Sequence, residues 1–223
     1  MVIIVFGDPA IDRRFVLELA GASLDRFGAP SRIFETQRHF FTISDQEYPL
    51  YNTAGLPSVV SSSLQAREVL GNLYRFIGTF DGRINLLIYV VGTDKPSDSN
   101  FRLFYDYLCQ QDAPIILVQT THPPSELSWF RLVLVLDGAD LESDKVNLRK
   151  AIAKHLKKNP KFISPMERFE TAARGSWEIL ERNASWSLAD CREALKFTFQ
   201  NYGLFSEKDA YARCESIVEG IKK

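Results

Sequence analysis

This chain is poor in the residues that staple, ligate or anchor a protein. Its three cysteines, Cys109, Cys191 and Cys214, are odd in number and widely spaced, which argues against a disulfide framework and a zinc site and leaves them as expected buried thiols. The three histidines, His39, His122 and His155, share no ligand spacing, so no metal centre is expected. No apolar stretch approaches the roughly 18 to 20 residues of a membrane span. The run Met1 to Phe6 is too short for a secretory signal core and has no basic leader, so a cytoplasmic location is expected. Net charge is also nearly absent. Lys plus Arg number 27 against 28 Asp plus Glu, a formal charge of -1, so no overall field draws the protein to nucleic acid or anionic lipid.

What is present is the composition of an ordinary folded protein, 45% hydrophobic and 25% charged over 223 residues. Apolar runs of strand length recur at 2-6, 84-91, 114-119 and 132-136. Because they are apolar throughout and do not alternate, they predict strands covered on both faces, as in a parallel sheet. Helical spacing over 12-21, about 60-77, 98-111 and 143-158 separates them, and this alternation predicts a doubly wound α/β sheet. His39 to Ile43 and Glu47 to Tyr51 flank Ser44-Asp-Gln46 as a hairpin, which adds one antiparallel edge strand. From Pro160 onward only helices are predicted, over 165-182, 187-201 and 206-223, two of them opened by Ser187-Leu-Ala-Asp190 and Ser206-Glu-Lys-Asp209. The expected organisation is an α/β domain over 1-160 and a helical C-terminal segment over 161-223.

The first turn carries the strongest functional signal. Val2 to Phe6 runs into Gly7-Asp-Pro-Ala-Ile-Asp-Arg-Arg14 and then a helix, the arrangement in which a phosphate loop sits. A working GxxxxGK[ST] loop needs glycine backbone around the phosphates, a lysine on the outer ones and a hydroxyl on magnesium. Here Gly7, Asp8, Pro9, Ala10, Ile11, Asp12, Arg13 and Arg14 occupy that position, and Gly-Lys-Ser is missing in either register. Arg13 and Arg14 at a helix start can grip an anion, but they can equally be solvated or pair with Asp8 and Asp12, whose carboxylates oppose a phosphate.

The second signal is Leu50-Tyr-Asn-Thr-Ala-Gly-Leu56, placed where GTP-binding domains keep DxxG. Asn52 stands for the metal-shell Asp, Gly55 for the phosphate-sensing glycine, and Leu56 follows where a water-orienting Gln is common. Asn accepts a hydrogen bond but brings no charge to a hydrated cation. Thr36 is the candidate for the magnesium-binding Thr that precedes the hairpin. The guanine-reading segment falls on Gln119-Thr-Thr-His-Pro-Pro124, which offers no Asp. Ser61-Ser-Ser63 lacks the surroundings of a nucleophile and reads as a helix start. Trp129, Phe130, Trp177 and Trp186 read as core aromatics before they read as a partner surface.

Taken in order, the Gly7 turn, the Thr53-Ala-Gly-Leu56 loop, Ile84-Asn-Leu-Leu-Ile-Tyr-Val-Val91, Phe101-Arg-Leu-Phe-Tyr-Asp-Tyr-Leu-Cys-Gln110 and Ala113-Pro-Ile-Ile-Leu-Val118 resemble the P-loop G domains of a fungal GTPase-like group. That group typically reads LFGETGxGKSSxINLIAG, LWDTAGL, NYRLFYDFLC and PIVLVVTG. The resemblance covers about residues 2 to 121 and is specific in its second half. It implies a P-loop NTPase-like fold and, for intact members, GTP binding with magnesium. The residues at Gly7 to Arg14, Asn52 and Leu56 instead predict a catalytically inactive interaction module with a protein partner and no bound cofactor. The alternative is a GTP-binding protein in which Arg13 replaces lysine, and only then are GTP and magnesium expected.

Overall fold

The computed structural model describes residues 2–7, 16–18, 34, 36–43, 46–56, 63–80, 82–91, 98–119, 133–136, 140–183, 187–203 and 205–221. Its strands are β1 Ile3–Gly7, β2 Thr36–Ile43, β3 Gln46–Ala54, β4 Leu86–Val91, β5 Ile115–Gln119 and β6 Val133–Val135. They form one sheet in the order β2-β3-β1-β4-β5-β6. β1 pairs in parallel with β3 and β4, β4 with β5, and β5 with β6, whereas β2 runs antiparallel to β3. The expected hairpin is therefore the antiparallel edge of an otherwise parallel, doubly wound sheet.

β1 and β4 are apolar and buried throughout because both of their faces are covered, whereas the edge strand β2 is mixed in sequence and partly exposed. On one face Ile4, Phe6, Tyr51, Leu87 and Tyr89 join the larger core. On the other, Ile3, Val5, Leu50, Ile88 and Ile116 join the smaller one. The smaller core is closed by Val16 and Leu17 from helical residues 16–18 and by Leu148 and Ile152 of a helix farther along the chain.

The helices are α1 Ser63–Gly78, α2 Asp98–Arg102, α3 Leu141–His155, α4 Pro165–Asn183, α5 Leu188–Asn201 and α6 Glu207–Ile221. α3 starts where Asp140 accepts a hydrogen bond from the Ser143 amide, and its acidic first turn and basic last turn suit the helix dipole. α5 opens with the expected reciprocal Ser187 and Asp190 capping bonds. No helix among the described residues is long and apolar enough to cross a membrane. The three cysteines are free and buried.

One departure from the expected helix over 98-111 organises the larger core. α2 continues as a π-helix over Leu103–Leu108, in which the Cys109 amide donates to the Phe104 carbonyl at 3.0 Å, five residues back. The wider turn buries Leu103, Phe104 and Leu108 together, and Phe104 stacks on Phe6 of β1 with ring centroids 4.1 Å apart. The chain leaves the turn through Gln110 and Gln111 at φ of 49 and 60°, a left-handed pair that non-glycine residues seldom adopt.

This turn is also the joint that seats α4 to α6 on the sheet. Tyr107 donates to Glu178 Oε2 at 2.5 Å and accepts from Arg102 at 2.9 Å. Burial first, and then the Glu178 carboxylate, push the Tyr107 phenol up to about 12, so it stays a proton donor. The Tyr107 ring lies against Gly175 of α4, where a β-carbon would overlap it. Arg168, 1% exposed, donates to the Leu108 and Gly82 carbonyls and lies over the Phe80 ring. Burial pushes its pKa below the usual arginine value and the neighbouring Cys109 thiol up to about 12. Phe169, Trp177, Phe199 and Cys214 of these helices share the core of Phe6 and Tyr89, so the C-terminal helices form a layer of the same packed body.

Beyond α3, Asp112 ties the returning chain to the sheet. Its carboxylate accepts from Lys157 Nζ and from the Lys161 amide, each at 2.7 Å. Burial alone would raise its pKa, but the Lys157 and Lys161 hydrogen bonds outweigh it and hold the carboxyl below the usual value. A depressed carboxylate stabilises the fold above its unfolded pKa and stops doing so as pH falls through the folded value. Chemical denaturation should therefore show Asp112→Asn less stable than the wild type at neutral pH, with the gap closing as pH falls below the ordinary aspartate pKa and through the lower folded one. A gap that widens on acidification would contradict this account.

Candidate functional site

In an open α/β sheet, ligands gather beyond the carboxyl ends of the strands where the strand order reverses. β1 lies between β3 and β4, and the chain crosses over it from one to the other. The reversal point is thus at Gly7, aligned with Ala54 of β3 and Val90 of β4. Of the residues expected at a nucleotide site, Gly7, Asn52 and Gly55 meet here. Asp8, Pro9, Ala10, Ile11, Asp12, Arg13 and Arg14 lie outside the described residues, as do residues 120–124 of the guanine-reading segment.

Gly7 has a packing reason to be glycine. A β-carbon there would come 2.5 Å from the Val90 carbonyl oxygen, so close approach of β4 excludes any side chain. Asn52 is 2% exposed and faces the smaller core beside Leu50, where its Nδ2 donates to Gln37 Oε1 on β2 at 3.3 Å. Two neutral amides therefore meet across β2 and β3 at the position where a G domain keeps a carboxylate for its metal shell.

The loop that leaves β3 is bonded inward at successive amides. Gly55 donates to the Gly7 carbonyl at 3.4 Å, a long bond that turns its N–H toward the strand end. The next peptide group is gripped from α2. Asn100, 1% exposed, accepts from the Leu56 amide through Oδ1 at 2.7 Å and donates through Nδ2 to the Leu56 carbonyl at 3.3 Å. A β-carbon on Gly55 would collide with the Asn100 amide, so the glycine and the asparagine require each other. Leu56 itself points into the larger core at 2% exposure, away from any position for orienting water.

Thr36 is not brought to this cluster. It is the first residue of β2, aligned with Thr53, whereas Asn52 aligns with Gln37; alternate side chains take opposite faces. Thr36 thus lies on the α1 side of the sheet. Its hydroxyl donates to the Phe34 carbonyl at 3.0 Å, bracing a turn in which Phe34 has φ of 52°.

Asn100 was missed by sequence reasoning, although a lone amide beside an apolar run at a helix start is the type of residue that grips backbone. Arg67 and Arg75, which line a cleft on α1 together with Thr36, were missed as well, because the aromatic rings beneath them come from a distant helix.

No family model matches the chain, and no curated protein does. Among solved structures, Aquifex aeolicus Era bound to GDP·AlF4− is similar at 13% identity and a TM-score of 0.45, covering 74% of this chain and 59% of Era. The chain thus spans less than two thirds of that protein. The cytosolic domain of the T. maritima FeoB iron transporter in apo form is similar at 14% identity and a TM-score of 0.43, covering 99% of this chain and 100% of that domain. Era in complex with MgGDPNP and a segment of 16S ribosomal RNA gives 11% identity and a TM-score of 0.47, over 78% and 65% of the two chains. The strand order β2-β3-β1-β4-β5-β6 and its pairing define the fold.

The grip on Leu56 is directly testable. Asn100→Ala leaves a buried N–H and a buried C=O without partners and should cost about 2 to 4 kcal/mol in urea unfolding. Gly55→Ala, which forces the same side chain away, should cost a similar amount. Their combination should cost clearly less than the sum, since both disrupt one contact. Full additivity would show that the two residues act separately.

Proposed function

We propose that this chain is a GTPase-like P-loop protein whose nucleotide site is degenerate, and that it works as an interaction module without hydrolysing GTP. The observation that carries this reading is the inward bonding of the β3 loop. Gly55 turns its amide to Gly7, Leu56 is gripped by Asn100, and Asn52 spends its amide on Gln37. A G domain uses this loop to detect a γ-phosphate, and it does so by leaving an amide and a carboxylate available for phosphate and metal.

The sequence of the first turn supports the same conclusion. Without lysine, without a magnesium hydroxyl and without a metal-shell carboxylate, nearly every electrostatic contribution to phosphoryl transfer is gone. Arg13 does not replace lysine simply, because its planar fork is larger and bonds along different directions. In this reading Arg13 and Arg14 are solvated or pair with Asp8 and Asp12, neither GTP nor magnesium is a cofactor, and the module acts in the cytoplasm on a protein partner.

Isothermal titration with GTP, GDP and ATP, with and without magnesium, should give no dissociation constant tighter than about 10 μM, or about 7 kcal/mol. Chromatographic assay should find no magnesium-dependent release of GDP. Asn52→Asp should restore neither and should lower stability, because it places a carboxylate at a position 2% exposed, against the neutral Gln37 amide. Tight binding of GTP with magnesium would favour the nucleotide-binding alternative and remove the proposal.

A further inference from the structure

A cleft of about 690 Å³ opens between the start of β2, one side of α1 and the end of α5, away from the β3 loop. Phe34 and Phe76 lie at its base, nearly parallel with ring centroids 6.4 Å apart. Phe197 and Tyr202 of the C-terminal layer form its wall, edge to face at 6.3 Å. Two cations stand on that wall: the Arg67 guanidinium lies 5.4 Å from the Phe197 ring centre and that of Arg75 5.1 Å from Tyr202. Tyr202 in turn rests on α1 at Gly71, where a β-carbon would come 2.6 Å from its ring.

Each guanidinium lies within cation–π distance of its ring, and its N–H groups are hydrogen-bond donors. Arg75 gives one of these to Asn72 Oδ1. Among the described residues neither arginine is within ion-pair distance of a carboxylate. Glu68 shares the cleft but is exposed to solvent. Two guanidinium forks beside an aromatic base, with no carboxylate partner among the described residues, are complementary to carboxylates that flank an apolar group.

The spacing selects the form of that ligand. Positions 67 and 75 are two turns apart on α1, about 12 Å along its axis. In an extended peptide, residues i and i+4 are about 13 Å apart and share one face with i+2. A nucleic acid strand fits less well, since a chain of formal charge -1 offers its continuous phosphates no overall attraction.

We propose that this cleft binds an extended segment of a partner protein in which two acidic residues flank an apolar one at alternate positions. Arg67 and Arg75 each take one carboxylate, and the apolar side chain enters the aromatic base between them. The inference deepens the interaction-module reading by naming the partner's chemistry, and it rests on that reading for its biological role only, because the cleft shares no residue with the β3 loop.

Fluorescence anisotropy on the full chain tests it, using a labelled peptide centred on Glu-Ser-Phe-Ser-Glu, with Lys-Ser-Phe-Ser-Lys and Glu-Ser-Ser-Ser-Glu as comparisons. The acidic peptide with Phe should bind saturably, at roughly 10 to 100 μM, and weaken as salt rises. Arg67→Glu and Arg75→Glu should each weaken it at least tenfold, as should loss of the peptide's Phe. Should either variant melt early, Arg67→Gln and Arg75→Gln should show the same direction of loss in a chain of wild-type stability. No saturable binding up to about 1 mM, equal binding of the lysine peptide, or undiminished affinity in the arginine variants would overturn the proposal. So would preferential, arginine-dependent binding of labelled oligo-uridine. Titrating GTP on the same samples separates the two failures: nucleotide binding would end the degenerate-site reading while leaving the peptide result standing.

Discussion

The two hydrogen bonds from Asn100 to the Leu56 peptide group set the character of this molecule. They join the loop after β3 to α2 across 44 residues of chain, in a place with no water to substitute for either bond. Leu56 and Phe104 lie in the same core cluster, so the loop is held by packing on one side and by an amide on the other. In a G domain the corresponding loop is ordered by a γ-phosphate and released when the phosphate leaves. Here the first two residues of the loop, Gly55 and Leu56, are bonded to Gly7 and Asn100 within the protein.

The same helix turn passes this constraint to the C-terminal layer. Arg102 and Tyr107, a few residues beyond Asn100, meet Glu178 of α4, and Arg168 of the same helix caps the Leu108 carbonyl. Arg168 carries its charge into the interior with carbonyl oxygens and an aromatic face as partners. Such a cation is stable only while those groups stay in register, since a displaced buried charge costs far more than a displaced methyl group. The C-terminal helices therefore act on the β3 loop at one remove, and they also provide the wall on which Arg67 and Arg75 are stacked.

Much of the fold was legible because its signals are local. Leu86 to Val91 is apolar at every position and lies in the middle of the sheet with both faces covered. The hairpin was found from its polar turn, and α5 from the Ser187 and Asp190 spacing. The π-helix was not legible, because one extra residue in a turn leaves no mark on an apolar pattern that suits either geometry. Gly7 was legible as a glycine with a purpose, but only the approach of Val90 reveals that purpose as packing. Asn100 and the paired arginines were hidden for one reason: their partners are a backbone group and two rings distant in sequence, and no spacing encodes a contact of that kind. Residues 8–14, on which the sequence reading leaned most, lie outside the described residues.

On the degenerate-site proposal, the departures at positions 7–14, 52 and 56 are linked. A carboxylate at position 52 would be 2% exposed beside the neutral Gln37. In an active G domain a hydrated magnesium, itself held by phosphates that a lysine helps to bind, offsets the desolvation of that carboxylate. On that proposal, once the lysine is lost the metal has no anchor, and an Asp at this position loses the cation that offset its burial. Asn52 keeps the shape, satisfies Gln37 and removes the charge. The Gly55 amide donates to the Gly7 carbonyl, and the next peptide is gripped by Asn100. The sheet itself is held by apolar burial on both faces, so its order rests on packing.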